Sequence, residues 1–329
     1  MRPPVSIVMP VLDAEPFANE AIDSVLSQTF PSFELIVVRN SAYGENDEVP
    51  STYRDSRIRI VNQEGFGIAA ALNAGISHSR GRFITFIMAS DRWLPEKLEL
   101  HVIHLTANRH VGVSFAGSRF IDAAGNGLRL IQRPKLRDIN AADIFCRNPI
   151  GNFSAAVVRR GDLDRVAAPH PVHFTRLCYF DETLEYSSDI EMWLRLALVG
   201  ESYFEGIPGT LTDFRVVKGG LAAEVLRQYQ SWQAMVERLV EFFPDFVEQN
   251  GDRAKAYQLR YLARRLVQIG DPGMAFALMK EAIATSKRPF VEEPIKSLTT
   301  YVAAYLGTKL SPDAFSRIMR ASSGGQLVA

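Results

Sequence analysis

RFITFIMASDRWLPEKLE, residues 82–99, passes from an apolar run through a short polar cluster into a helical pattern. The apolar run up to Ala89 is typical of a strand covered on both faces, and Pro95 is typical of the first turn of a helix. Ser90 and Asp91 stand between the two, at the carboxyl end of the strand. Asp91 therefore has two interpretations, a cap of the following helix or a carboxylate that the sheet presents to a metal ion.

The first hundred residues alternate between strand-like and helix-like segments. Strands are predicted at 5–12, 33–40, 57–62 and 82–89, and helices at 15–30, at 67–79 and after Pro95. Asp13 is a candidate cap of the first helix. This alternation indicates a mostly parallel sheet flanked by helices, in which ligands bind beyond the carboxyl ends of the strands. We therefore expect the loop after Pro10, Asn40 and Asp91 to share one edge.

The remaining chain divides into a mixed part and a helical part. Strands are predicted at 111–122, 152–160 and 202–207, a turn at 125–127, and a helix at 187–200 with Ser187 or Ser188 as its cap. Helix formers dominate after residue 220, and residues 270–273 join two helices. We predict one domain over 1–220, with halves 1–110 and 111–220, and a helical region over 221–329. The helical region is expected to serve as a packing appendage, or to contact a membrane surface or a protein.

Composition excludes several classes of protein. Thirty-seven basic residues balance thirty-seven acidic ones, whereas a nucleic-acid-binding protein would show a basic excess. Two cysteines without CxxC spacing, Cys146 and Cys178, predict reduced thiols and no disulfide framework. No apolar run approaches the roughly 20 residues that span a bilayer. We expect a cytoplasmic protein that can associate with the inner face of the membrane.

Three short motifs carry a resemblance to a known family. They are SVLSQTF at 24–30, ALNAGI at 71–76, and WLPEKLE at 93–99 directly after an acidic position. Together they resemble the nucleotide-binding half of family 2 glycosyltransferases of the GT-A (Rossmann-like) fold, over residues 1–110 and again near 148–160, 185–196 and 210–218. The resemblance implies transfer, with inversion, of a sugar from a nucleotide diphosphate sugar to a hydroxyl of a polysaccharide or glycolipid acceptor.

The resemblance also implies the residues of the site. It assigns Asp91 to a divalent cation, Mn²⁺ or Mg²⁺, and Asp189 to the general base that takes the acceptor proton. Glu191, two residues further along the helix, is expected to point elsewhere. The alternative for Asp189 is an ordinary acid in the first turn of a helix. The residues expected around the donor nucleotide are Pro10, Val11, Asn40, Ala70, Asn73, Ser90 and Arg215.

The chain departs from the family pattern at the donor site. Met88 and Ser90 replace two acids, Arg39-Asn40-Ser41 replaces an acidic pair, and Val217 replaces a histidine. Two alternatives follow. The first is transfer without a metal, with Arg39, Arg215 or Lys218 supplying positive charge. The second is a non-catalytic protein of the same fold that binds sugars or acts as a scaffold.

The histidines are not expected to form a site. His101 and His104 are three residues apart on a predicted helix and are interpreted as surface residues, since no third metal ligand is near in sequence. His170 and His173 lie in an irregular stretch and need no catalytic role.

Overall fold

The computed structural model describes residues 2–12, 16–40, 53–170, 172–216, 222–311, 313–315 and 317. Asp13, Ser41, Val217, Lys218 and the boundary predicted near residue 220 lie outside these described residues. The chain divides into two compact units. Unit 1 comprises Met1–Ile144 and Pro149–Val216, and unit 2 comprises Phe145–Asn148 and Val217–Ala329.

Unit 1 is built on strands and helices that alternate along the chain. The strands are β1 (Val5–Val11), β2 (Phe33–Asn40), β3 (Ile58–Gln63), β4 (Phe83–Phe86), β5 (Arg92–Trp93), β6 (Val111–Ile121), β7 (Gly127–Gln132), β8 (Ala156–Arg159), β9 (Ala168–Pro169), β10 (Leu177–Cys178) and β11 (Tyr203–Arg215). The helices are α1 (Ala18–Leu26), α2 (Gly67–His78), α3 (Lys97–Ala107), α4 (Ala141–Arg147, divided between the units), α5 (Arg160–Val166) and α6 (Ser188–Leu198).

Nine strands form one sheet in the order β3-β2-β1-β4-β8-β6-β11-β5, and β7 pairs with β6. The pairs among β1, β2, β3 and β4 are parallel, as is β6 with β11, whereas β8 runs antiparallel between β4 and β6. The strands β9 and β10 form a separate hairpin. The predicted α/β class with a mostly parallel sheet is confirmed.

The core of unit 1 lies on both faces of the sheet. All seven residues of β1 are buried, which is why this strand reads as a continuous apolar run. Small residues let α2 approach the sheet closely. A Cβ atom added at Gly75 would lie 2.2 Å from Cγ1 of Val8, so only glycine fits there.

Three predicted strands differ in extent from the observed ones. The strand predicted to reach residue 89 ends at Phe86, because the chain turns out of the sheet and Asp91 N donates to Met88 O at 2.9 Å. The segment predicted as a strand from 152 starts with a 3₁₀ turn, Phe153–Ala155. The strand predicted at 202–207 continues to Arg215 with shifts in its pairing to β6, which sequence periodicity does not reveal.

Unit 2 consists of packed helices. They are α7 (Ala222–Phe242), α8 (Pro244–Ile269), α9 (Pro272–Thr285), α10 (Arg288–Glu292) and α11 (Pro294–Gly307). The predicted junction is confirmed, since Gly270 ends α8 in the left-handed region at φ +95° and Asp271 caps α9 by accepting from Met274 N. Among the helices that the structure describes, none combines the length and apolarity that crossing a membrane requires.

The close approach of α2 to β1 gives a stability prediction. Gly75→Ala is expected to lower the free energy of unfolding by about 1–3 kcal/mol, because the new methyl group overlaps a stiff β-branched side chain. Urea denaturation measures this change. Gly161→Ala is the matched control, since no atom lies within 4 Å of its added Cβ. It should leave stability unchanged or slightly raise it. Equal stabilities of the two variants would contradict the packing described here.

Candidate active site

The carboxyl ends of the central strands meet at one edge, as predicted. Val11 ends β1 beside Arg39 of β2, and Asn40 is the last residue of β2. Because β4 is parallel to β1, the segment from Ile87 to Asp91 leaves the sheet at this same edge. Pro10, Val11 and Asn40 are buried there. Their contacts with a donor nucleotide stay a prediction.

Asp91 is a fully buried carboxylate bound to two other elements. Its Oδ2 accepts a hydrogen bond from Ser154 Oγ at 2.6 Å, in the 3₁₀ turn before β8. Its Oδ1 accepts from the backbone N–H of Arg215 at 3.1 Å, at the end of β11. Ser154 Oγ in turn accepts from Met88 N at 2.9 Å. One side chain thus joins the loop after β4 to two non-adjacent parts of the chain.

Burial dominates the titration of this carboxyl. It raises the pKa of Asp91 to about 7, although the hydrogen bonds from Ser154 and from Arg215 N act in the opposite direction. The interpretation of Asp91 as a helix cap is wrong, since the capping position of α3 is Glu96 and Asp91 bonds elsewhere.

The described residues around Asp91 do not fit a divalent cation. Mg²⁺ and Mn²⁺ take oxygen ligands in an octahedral arrangement that includes water and substrate oxygens, whereas the Asp91 side chain is fully buried and turned toward Ser154 and Arg215 N. Met88 offers only a thioether in place of an acid. Within the described part of the chain, Asp91 belongs to no group of three His, Cys, Asp or Glu side chains close enough to share an ion. The assignment of a cation to Asp91 therefore finds no support in this arrangement.

Arg215 is bound on all sides rather than open to a ligand. Its Nε donates to Ser90 O at 2.9 Å, and one terminal nitrogen donates to the carbonyls of Asp122 and Ala123. The other terminal nitrogen lies 2.7 Å from a Glu20 carboxylate oxygen, and the side chain is fully buried. In this conformation Arg215 fixes Ser90 and the end of β11. Its predicted contact with a donor phosphate would require these bonds to change.

Asn73 is likewise satisfied within the protein. Its Oδ1 accepts from the backbone N–H groups of Tyr179 and Phe180, and its Nδ2 donates to Phe180 O and to Glu182. These four bonds use the whole hydrogen-bonding capacity of the amide. Asn73 therefore ties α2 to the segment before α6, and Ala70 beside it is fully buried. Direct contact of either residue with the donor stays a prediction.

Asp189 lies in the first turn of α6, as the sequence predicts. Its side chain is half-buried. Ser187 occupies the capping position at φ +64°, an unusual conformation for serine, and its side chain makes no capping bond. Glu191 is held by Arg195 Nε at 2.5 Å and so has a separate role from Asp189. The positive end of the helix favours an ionised carboxylate at position 189.

Both histidines of α3 differ from expectation. His101 is fully buried, with Nδ1 2.7 Å from Ser114 Oγ and Nε2 3.4 Å from the buried Lys97 Nζ. His104 is largely buried, with Nδ1 2.8 Å from the same Ser114 Oγ. Burial lowers the pKa of both Lys97, to about 7, and His101. The α3 sequence does not reveal this, because β6 supplies Ser114 from a distant segment.

His170, Cys178 and Glu182 place their ligand atoms within 4.8 Å of one another. Val172 N and His173 N both donate to His170 Nδ1, so the ring proton lies on Nε2 and faces Glu182. Arg176 also pairs with Glu182 at 2.5 Å. The cluster is a hydrogen-bonded ion pair rather than a cation site. Both cysteines are free thiols, as predicted.

Comparison with known proteins finds a family for about half of the chain. Residues 6–167 match the model of glycosyl transferase family 2. This part of the chain is therefore similar to family 2 glycosyltransferases. An uncharacterized glycosyltransferase of Rickettsia bellii is 28% identical over 246 residues, which cover 73% of this chain and 34% of that protein. The chain thus spans about a third of the length of this relative.

Solved structures support the GT-A fold. TarS 1–349 of S. aureus, in complex with UDP-GlcNAc, superposes with a TM-score of 0.51 at 15% identity, covering 94% of this chain and 92% of that one. The mannosyltransferase PcManGT from Pyrobaculum calidifontis, in complex with GDP-Man and Mn²⁺, gives 0.53 at 19% identity, covering 93% and 86%. At such identities the likeness concerns the fold.

Sequence reasoning missed the residues that position the site. Ser154, which bonds Asp91, and Glu182, which bonds Asn73, are not among the residues predicted from the sequence. No local signal identifies either residue, since the partners are 63 and 109 residues apart in the chain.

The raised pKa of Asp91 gives a pH prediction. Between pH 3.8, the usual carboxyl pKa, and pH 7 the native protein retains a proton that the unfolded chain has lost. Stability therefore falls as pH rises through this window, by an amount of the order of a few kcal/mol. Asp91→Asn should flatten this part of the pH profile of unfolding free energy, measured by urea denaturation from pH 4 to 8.

The matched control is Asp245→Asn, which changes an exposed carboxyl on α8. Its pH profile should follow that of the wild type. If Asp91→Asn also follows the wild type, Asp91 is ionised in the native protein across this range, and the environment described for it is incorrect.

Proposed function

We propose that the chain is an inverting glycosyltransferase that moves a sugar from a nucleotide diphosphate sugar to a hydroxyl of a polysaccharide or glycolipid. The observation that carries this proposal is the segment that matches the family 2 model, residues 6–167, whose strands β1, β2 and β4 end together at the edge where α/β sheets bind ligands. The neighbours TarS and PcManGT were solved with nucleotide sugars, which supports this class of donor.

Asp189 is the proposed general base. As the acceptor oxygen attacks the anomeric carbon, its proton passes to the Asp189 carboxylate, and the bond from that carbon to the diphosphate oxygen breaks. Attack opposite the leaving diphosphate inverts the anomeric centre. A carboxylate in the first turn of a helix is kept ionised by the helix dipole, which suits a proton acceptor.

The proposal assigns no step to a cation. A Mn²⁺ or Mg²⁺ requirement is suggested by the PcManGT complex and implied by the family, but Asp91 and its neighbours do not fit one. Transfer assayed with excess chelator and with added Mn²⁺ tests the requirement. Equal rates would remove the cation from the mechanism, and a rate restored only by Mn²⁺ would show that ligands other than those described here complete a site.

A second candidate function is a non-catalytic sugar-binding or scaffolding protein. The burial of Asp91 favours it, since the only acid retained in the Met88–Asp91 segment is used inside the protein. Calorimetry with UDP- and GDP-sugars, with and without Mn²⁺, distinguishes the two functions when it is combined with a transfer assay. Binding of one donor with transfer supports the enzyme, and binding without transfer to any acceptor tested supports the second candidate.

Contact of the C-terminal helices with a membrane or a protein stays a prediction. Ile295, Leu298 and Val302 are exposed on α11, at spacings that put them on one face. An exposed apolar stripe of this kind favours such a contact.

The role of Asp189 is testable directly. Asp189→Ala should reduce the transfer rate at least roughly 100-fold, the usual scale for the loss of a general base, while donor affinity measured by calorimetry changes little. Asp252→Asn, an exposed position on α8, is the control and should keep full activity. An active Asp189→Ala protein would eliminate Asp189 as the base.

A further inference from the structure

A cleft lined by arginines opens at the edge of the sheet opposite to Asp91. It has a volume of about 450 Å³ and lies at the amino ends of β4 and β6 and the carboxyl end of β8. Phe83, the first residue of β4, pairs with Arg159, the last residue of β8, so this edge is distinct from the candidate active site. The basic residues that line the cleft are Arg82, Arg109, His110, Arg159, Arg160 and Arg165.

The charges in this cleft do not balance. Five arginines face two acids, Asp162 and Glu201, which leaves an excess of three positive charges with His110 neutral, although the whole chain is neutral. Asp162 is already used inside the protein, because its Oδ1 accepts from Ser202 Oγ at 2.8 Å and pairs with Arg165. The cleft is therefore the kind of local field that concentrates anions.

Three of the arginines have structural partners, and one of them is Arg165, which pairs with Asp162. Arg159 Nε donates to Val111 O at 2.6 Å and a terminal nitrogen donates to Asn108 O. Arg160 Nε donates to Gly81 O at 3.0 Å. These bonds hold the guanidinium groups in place as the fixed wall of the cleft.

The other two, Arg82 and Arg109, are exposed, and neither guanidinium group forms a hydrogen bond or ion pair with a residue that the structure describes. Arg82 lies over the Phe83 ring, 5.2 Å from its centroid, and Arg159 lies 5.5 Å from the same centroid. The two positively charged guanidinium groups therefore share one aromatic ring and lie close together. Burial lowers the pKa of Arg159, and the positive charges of Arg82 and Arg109 lower it further.

We propose that this cleft binds a ligand with two or more adjacent phosphate groups. Arg82 and Arg109 contact the phosphates directly, and the positive charges of the fixed arginines attract them. Guanidinium groups match phosphate oxygens in a bidentate geometry, and the lining contains arginine but no lysine. The volume is within the usual range for small-ligand sites and exceeds what one phosphate fills. The phosphates can belong to a soluble compound or to a lipid headgroup, and the proposal is independent of glycosyl transfer.

The first measurement is calorimetric titration of the full chain with inorganic pyrophosphate. The second is thermal unfolding of the chain with and without pyrophosphate. Wild type should bind pyrophosphate more tightly than inorganic phosphate, melt at a higher temperature in its presence, and lose affinity as salt is added. The variant Arg82→Ala/Arg109→Ala should bind at least about tenfold more weakly, since it lacks the two guanidinium groups that are open to hydrogen-bond the phosphates. It should remain folded, because neither side chain holds another part of the chain.

Two further variants separate charge from geometry. Arg133→Ala/Arg264→Ala removes the same charge from exposed positions outside the cleft and should keep wild-type affinity. Arg82→Lys/Arg109→Lys keeps the charge but not the bidentate geometry and should be intermediate. Pyrophosphate binding that is unchanged in Arg82→Ala/Arg109→Ala belongs to another site, such as the donor site, and would overturn the proposal. Absence of binding to the wild type would also overturn it.

Vesicles distinguish the source of the phosphates. Sedimentation with phosphatidylcholine vesicles, with and without phosphatidylglycerol, is compared for wild type and Arg82→Ala/Arg109→Ala. Pyrophosphate binding without sedimentation supports a soluble ligand, and pyrophosphate that competes with phosphatidylglycerol vesicles supports phosphates on a lipid surface. Sedimentation that depends on the two arginines, with no pyrophosphate binding, would replace the proposed site by a general membrane contact.

Discussion

The carboxylate of Asp91 is the link on which the carboxyl edge of the sheet depends. It is fully buried, and its two oxygens bind the 3₁₀ turn before β8 and the end of β11. Removing one partner of a buried polar pair leaves the other without a hydrogen bond, at a cost of about 1–3 kcal/mol. The loop after β4 therefore has one favoured position, and Ser90 and Arg215 are fixed with it.

This arrangement changes what the acid at the strand end does. The family pattern implies an acid that faces a cation and the donor diphosphate, whereas Asp91 faces the interior. Asn73 and Arg215, two further residues expected to touch the donor, are also satisfied within the protein. In contrast, Asp189 stands in the first turn of α6 as the proposed mechanism requires. The proposed general base thus lies in the first turn of a helix, whereas the residues proposed for the donor are held by bonds within the protein.

The two edges of the sheet differ sharply in electrostatics. At the carboxyl edge the single acid of the Met88–Asp91 segment is buried, and burial raises its pKa to about 7. At the amino edge, arginines from separate segments share one cleft with few acids. A net charge of zero hides this separation, because charge is summed along the chain while a ligand responds to the field at one place.

The sequence by itself determined the layers of the fold and the order of the strands along the chain. Continuous apolar runs such as β1 identify buried strands from local pattern alone. The sequence also placed Asp189 in the first turn of a helix, whereas β4 ends before Ser90 and Asp91. Only the tertiary structure decided what Asp91, Asn73 and His101 bind, because Ser154, Phe180 and Ser114 belong to other elements of the fold. Periodicity reports which face of an element is buried, whereas a hydrogen bond between distant residues depends on distances that only the folded chain sets.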